Sequence, residues 1–458
     1  MLKNDINQLL SNLQAEIESS SMKEKYRTLP KYFTRNRVLT FSILIIMRLN
    51  ILNKSLSVEL EKISNLFSKI STFSTPSKQA FSKATSHIKW EGFKYLNDFF
   101  VKDYYSRSGS LKFADKYILV AADGSDIELP NSPKLKAHFG EYNNGQMLGQ
   151  CMAKCVKLYD VLNHINISSV LSPYNAKDTK GFSEKSLFDI QIAALPELID
   201  LQEKNLIVIG DKYYPCFHYF YSLPMQHLNF VFRCAASFCL EVKEFAQSNK
   251  LDAELSIDMK ISHRKYGKSV NRPMPDGTVC QLDIPDIIKV RCVRVKRKDG
   301  TDMFILTNLP SKELSRQEVG EIYDLRWGEE TSFGLDKNVL EVENFSTKTV
   351  NGILQEFHAK TLTANIAELL VMDAQNTLDE EQSTKDNKNS LIINRKISYG
   401  LVKDEIVLLL NGNEPADLWF ARMSRKILRY RSPVRKGRFF PKKRKYKTKF
   451  SMNMRRTT

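Results

Sequence analysis

The chain has 458 residues, of which 42% are apolar and 26% charged; these are soluble-protein values that exclude a fibrous repeat or wholesale disorder, and the length suggests about three structural units. The longest apolar stretch near the N-terminus, Phe41 to Met47 with Ser42 inside it, falls far short of the ~20 residues that cross a bilayer. The formal charge of +17 divides into +7 over residues 1–100, +16 over 421–458 and −6 between them, so both ends suit a polyanion while the middle collects carboxylates.

In chain order, the first twenty residues place Ile6, Leu9, Leu10, Leu13 and Ile17 at helical spacing among Asp5, Glu16 and Glu18. That predicts an amphipathic helix and lacks the basic start and apolar block of a secretion signal. The protein is therefore expected in the cytoplasm, at the nucleoid. Helix continues through Phe41 to Leu49, behind Arg35 and Arg37, so residues 1–105 read as a helical unit. It suits a DNA-binding domain, and an ordinary bundle has the same pattern.

From Lys116 the pattern changes. Tyr117 to Ala122 is a short continuous apolar run, the mark of a buried strand, and it ends in Asp123-Gly124-Ser125. Further strands are predicted at Cys151 to Tyr159 and His164 to Leu171, then a helix over Ser183 to Leu195 that Pro196 should end. Leu206 to Gly210 is a second buried strand, followed by Asp211. After residue 237, strand-like runs (Ile287 to Val295, Met303 to Thr307) alternate with turn signals at Pro275-Asp276-Gly277 and Lys298-Asp299-Gly300. Helix resumes over Ser315 to Lys337 and Val350 to Ala374, with a polar surface loop expected over Gln375 to Ser390.

The seven cysteines are scattered, never in a Cys-x2-Cys pair, and neither His263 nor the other histidines form a metal-ligand pattern. They read as reduced, mostly buried thiols and structural histidines. The carboxylates carry more. Aspartates at the carboxyl ends of buried strands stand where loops of an open α/β sheet converge on a crevice. Taken singly, Asp123 also reads as a turn residue and Asp211 as a helix cap. Tyr323, Arg326, Glu330 and Lys337, at offsets 0, 3, 7 and 14, would fall within about 60° of one helix face. Trp327 sits beside them, as core packing or as a stacking surface, and Glu329 reads as a solvated neighbour. A salt-bridged surface helix has the same pattern.

The segment Tyr-Asp-Leu-Arg-Trp-Gly-Glu-Glu-Thr-Ser-Phe-Gly-Leu-Asp-Lys (323–337) resembles the Tyr-x2-Arg-x3-Glu-x6-Lys signature of bacterial cut-and-paste insertion-sequence transposases of the DDE type. It matches at all four positions and every gap. Phe304 to Pro310 resembles the strand that leads into that helix, and the likeness extends over most of 116–375. It implies an α/β fold: an RNase H-like catalytic core (106–236 and 311–375) with a β-rich insertion (237–310), behind the helical N-terminal domain (1–105) and before a C-terminal helical segment and basic tail (376–458). It also implies Asp123, Asp211 and Glu330 as catalytic metal ligands for two Mg²⁺ ions, with Mn²⁺ as substitute, and Tyr323, Arg326, Trp327, Lys337 and Lys212 as DNA-binding residues. The family often has Asp-Arg-Gly after the second strand. Here Asp211-Lys212-Tyr213 keeps the charge and loses the bidentate fork of arginine.

On this reading the partners are double-stranded DNA, as terminal inverted repeats and as target, and a second copy of the chain in the DNA complex. Water would free a 3′-OH at each element end, and the same acids would activate that hydroxyl against target DNA; the resemblance suggests a hairpin on the way. The tail from Arg422 to Arg456 interleaves cations with Tyr430, Phe439, Phe440, Tyr446 and Phe450 and suits a segment that orders on DNA. Two alternatives stay open: an RNase H-like nuclease or recombinase without strand transfer, and a non-catalytic DNA-binding protein derived from a transposase.

Overall fold

The computed structural model describes residues 3–35, 38–50, 55–68, 73–144, 147–174, 183–260, 272–273, 279–280, 284–297, 299–383 and 390–434. For Lys3, Asn143, Asn144, Met147, Leu148, Arg272, Pro273, Val279, Cys280 and Glu330 the description stops at the backbone. Arg37, His263, the turn signal at 275–277 and the tail beyond residue 434 lie outside the described residues.

Helical spacing becomes burial directly in the N-terminal part. In α1 (Lys3–Glu18) the stripe Ile6, Leu9, Leu10, Leu13 and Ile17 is buried. The next helices, α2 (Ser20–Tyr26), α3 (Phe41–Leu49) and α5 (Lys78–Thr85), begin at Ser19, Thr40 and Ser77. Each of these side chains accepts a bond from the backbone N–H three residues on, a cap that stabilises a helix by about 1 kcal/mol. Between and after them run α4 (Leu56–Ser68) and α6 (Glu91–Ser106).

The centre is a nine-stranded mixed sheet. β1 (Tyr117–Glu128), α7 (Pro133–Phe139), β2 (Glu141–Asn144), β3 (Met147–Asp160) and β4 (Ile165–Pro173) come first, with β3 antiparallel to β1, β2 and β4. Then α8 (Glu184–Ala194) leads to β5 (Asn205–Gly210), parallel to β1, and α9 (Phe217–Met225) leads to β6 (Leu228–Cys234), parallel to β5. After α10 (Leu240–Gln247), the stretch expected as a β-rich insertion supplies β7 (Asp252–Asp258), the short pair β8 (Arg272–Pro273) and β9 (Val279–Cys280), β10 (Ile287–Lys296) and β11 (Asp302–Thr307). Of these, β11 pairs with β6, β10 with β11 and β7 with β10, so the sheet continues through them. Of the turn expected at 298–300, Lys298 lies outside the described residues; the Arg297 N–H donates to the Thr301 carbonyl, and Gly300 has φ +80°.

Period-2 alternation sorts β1 between two cores. Ile118, Val120 and Ala122 pack with α8 and β5 residues, among them Leu187, Phe188 and Val208. Tyr117, Leu119 and Ala121 pack with Val319, Ile322 and Tyr323 of α11 (Arg316–Leu325). Past α12 (Trp327–Asn338), the 34-residue α13 (Val350–Ser383) lies buried on all sides from Gly352 to Val371, against α3, α6, β4, α14 (Arg395–Leu410) and α15 (Ala416–Leu428). Polar side chains on it are matched: Arg48 pairs with Glu356 at 2.6 Å, and Glu368 meets Arg395 and Tyr399 at 3.0 and 2.8 Å.

Several expectations need correction. The first strand does not stop at Asp123: β1 runs on to Glu128 because β3 stays paired with it, Asp123 opposite Lys157 through Glu128 opposite Met152, after β5 has ended. The loop expected over 375–390 is helical to Ser383, since Ala374 and Leu378 are buried against the core. The basic tail begins later than Arg422. That residue sits within α15 and pairs with Glu405 and Glu414, Lys426 pairs with Glu405, and Arg431 with Glu381. The six described cysteines are free thiols, all but Cys239 buried. Among the described residues no helix is long and apolar enough to cross a membrane.

Candidate active site

The site starts from strand register. β1 and β5 run parallel, and Ala122 opposite Gly210 is their last pair, so Asp123 and Asp211 are the residues that follow it on the two adjacent chains. Asp123 accepts a bond from the Gly124 N–H at 2.9 Å, and Asp211 one from the Tyr213 N–H at 2.8 Å. The second is a local turn contact, and Asp211 is no helix cap, for α9 starts at Cys216. Gly210 is needed where it stands: a Cβ there would lie 2.9 Å from Tyr214 and Phe232. Beyond Asp211, Lys212 and Tyr213 are exposed while Tyr214 is buried.

The third element differs from the single helix predicted. Ser315 caps α11 with a full capping box, but the helix breaks at Arg326, and α12 begins at Trp327. The bonds Arg326 N–H to Tyr323 and Glu329 N–H to Arg326 span three residues, 3.1 and 3.0 Å, tightening the turn. The Arg326 guanidinium lies 3.6 Å from Asp123 and above the Tyr323 ring. Tyr323 is buried; Trp327 is 55% exposed, which removes core packing as its role. Lys337 donates to the Asp126 carbonyl at 2.8 Å and faces Glu343 at 3.6 Å. Lys157, opposite Asp123, anchors α12 to the sheet through Asp336 and Ser332. The backbone of Glu330 lies in α12, and its side chain is outside the description.

Two acids that sequence reasoning passed over face this place. Glu329, read as a solvated neighbour, is 0% exposed, and neither carboxylate oxygen has a hydrogen-bond partner among the described residues. Burial, then the charge of Asp123, pushes its pKa well above the ordinary glutamate value, with Lys157 and Arg326 opposing. Glu184, first residue of α8, reaches over Gly124, where an added Cβ would come 2.5 Å from its carboxyl carbon. Burial raises its pKa most, the Tyr214 phenol lowers it, and Asp123 and Asp211 raise it further. The pair Glu329-Glu330 was a signal for one of them; Glu184 looked like any acid in a first helical turn.

Among the described residues no three His, Cys, Asp or Glu side chains close up into a ready metal centre. The residues nevertheless fit a divalent cation. Hard oxygen donors suit Mg²⁺, and a buried carboxylate without a partner beside further acids calls for positive charge.

Asp123 within β1, where its parallel pairing with β5 ends, and Asp211 just after β5, with Arg326 near Asp123, define an acid-lined site on a mixed α/β sheet. Residues 114–366 match the family described as "Transposase DDE domain", more than half of the chain, and the chain belongs to that family. No curated protein matches it. Among solved structures it is similar to the piggyBac transposase in a cryo-EM structure of a synaptic complex with hairpin DNA, at 11% identity and a TM-score of 0.42, over 92% of this chain and 83% of that one.

Proposed function

We propose that this chain cuts and rejoins DNA as a cut-and-paste transposase, with Asp123, Asp211 and Glu330 as the residues that hold two Mg²⁺ ions, or Mn²⁺ in their place. The observation that carries the reading is the register of β1 on β5, in which Ala122 and Gly210, the residues just before the two aspartates, are the last parallel partners. An RNase H-like core is part of it, supported by the antiparallel run β4-β3-β1 continuing into parallel β5 and β6. The unit boundaries 1–105, 106–236 with 311–375, 237–310 and 376–458 belong to it as well.

Bound divalent cations would activate the attacking oxygen and stabilise the leaving one during in-line displacement at phosphorus. The chain's own residues do the rest. Asp123 orients from within β1 and Asp211 from just after β5, and Glu330 joins from α12 by its place in the signature. Arg326, beside Asp123, neutralises the phosphate next to the cut, and Lys337 and Lys212 contact flanking phosphates. Tyr323 donates a hydrogen bond there, and the exposed Trp327 indole stacks on an unpaired base. The first displacement frees a 3′-OH at the element end, and the second joins that hydroxyl to target DNA. Double-stranded DNA, as terminal inverted repeats and as target, is the partner, and two copies of the chain hold the two ends.

A pre-cut element end bearing a 3′-OH, a target plasmid and Mg²⁺ test this together. Joined products are expected from the wild type, and at least a thousandfold loss from Asp123→Asn, Asp211→Asn and Glu330→Gln, about 4 kcal/mol in the barrier. Nicking without joining would indicate a nuclease. Cleavage equal in wild type and variants, or none at all, would leave a DNA-binding protein only.

A further inference from the structure

We propose that Glu184 is a fourth acid of this centre: a positioning residue outside the Tyr-x2-Arg-x3-Glu-x6-Lys signature that strengthens divalent-cation binding by Asp123, Asp211 and Glu330. This rests on the reading of those three as the cation site.

Glu184 is the first residue of α8, behind the Ser183 cap, and an acid there ordinarily complements the helix dipole. Its placement goes beyond that. The carboxyl folds over the backbone of Gly124, the residue after Asp123, into room that exists because position 124 has no side chain: an added Cβ would stand 2.5 Å from the carboxyl carbon and 2.6 Å from Oε2. The buried Tyr214 phenol, three residues after Asp211, faces the same carboxyl. The neighbours of Glu184 thus come from the two chain segments carrying the site aspartates.

Glu329 supplies an independent observation. It is wholly buried, both oxygens lack a partner among the described residues, and it lies within electrostatic reach of Asp123 and Glu184. Tyr214 senses Glu184, Glu329 and Asp123 together. Arg326 (3.6 Å from Asp123), Lys157 (paired with Asp336) and Lys154 oppose these acids in part, and a divalent cation among them would add two positive charges. An acid just behind the ligands deepens the potential that draws the cation and accepts hydrogen bonds from water around it. Supporting groups of this kind typically contribute 10–100-fold in metal affinity.

The test uses the full chain and Mn²⁺ alone, with free Mn²⁺ followed by electron paramagnetic resonance and unfolding temperature measured in EDTA. Glu184→Gln is expected to weaken Mn²⁺ binding about 10–100-fold while melting in EDTA at or above the wild-type temperature, because a like charge is removed. A helix-start acid without further role would do the reverse, lowering the EDTA melting temperature and leaving Mn²⁺ affinity within twofold; that outcome overturns the proposal. Tyr214→Phe, which keeps the ring and removes the phenol facing Glu184, is expected to weaken Mn²⁺ in the same direction and serves should Glu184→Gln not fold. Asp123→Asn separates the two levels. If it loses Mn²⁺ and Glu184→Gln does not, the fourth acid alone falls. If the wild type binds no Mn²⁺, or Asp123→Asn binds it equally well, the three-acid reading falls with it.

Discussion

Glu329 is the residue whose environment makes the strongest demand. A carboxylate at 0% exposure with no hydrogen-bond partner among the described residues destabilises the metal-free fold, because burial and Asp123 both disfavour its charge. Its folded pKa lies above the unfolded one, so the native state binds the extra proton, and stability falls as pH rises from the unfolded pKa through the folded one. Glu329→Leu, similar in volume, should therefore stabilise the protein in EDTA by about 1–4 kcal/mol at pH 8 and by less at pH 5. Urea unfolding at the two pH values measures this; a destabilised or pH-indifferent variant would refute it. At this scale the sequence was half legible. Asp123 and Asp211 stood out because apolar strands run straight into them, and Glu330 because three fixed gaps single it out. Glu184 and Glu329 did not, because their importance lies in what packs over Gly124 and under Arg326, and no local pattern records that.

Elements were legible where one periodicity ruled. β3, β4, β5 and α8 fall within a few residues of their expected spans, since short apolar runs and a helix-ending proline mark them. Misreadings came where tertiary demands overrode local pattern: 315–337 reads as one helix, yet Arg326 turns to Asp123 and the backbone tightens there. Asp123-Gly124-Ser125 reads as a turn, yet β3 holds it in strand. The long α13 depends on polar pairs that no periodicity exposes. Arg48 and Glu356 are both nearly inaccessible, and burial pulls the Arg48 pKa down while Glu356 supports it. Arg48→Met removes the cation beside buried Glu356, which keeps its hydrogen bonds from Ser346, for an expected loss of about 3–5 kcal/mol in chemical denaturation. A loss under 1 kcal/mol would mean that the pair does not hold α3 to α13.

Across the whole molecule, charge asymmetry was legible from composition and its use only partly so. Arg422, Lys426 and Arg431 are taken up by internal acids, whereas residues 435–458 still carry eleven Lys and Arg and no acid. If these meet DNA phosphates, each contact contributes about 0.9 to the slope of log affinity against log salt. Removal of 435–458 should flatten that slope by several units in fluorescence anisotropy with duplex DNA, and an unchanged slope would assign the polyanion contact elsewhere. The continuous sheet through β7, β10 and β11 could not be read in advance, because strand pairing over such sequence distances leaves no periodic trace.

The central claim is that Asp123, Asp211 and Glu330 hold cations in common. Anomalous diffraction from crystals of the chain grown with Mn²⁺ and a pre-cut DNA end addresses it without any assay of turnover. Manganese peaks within about 2.0–2.6 Å of carboxylate oxygens from all three residues are the expected result. Ordered manganese elsewhere, with these three carboxylates unligated around the bound DNA end, would contradict it.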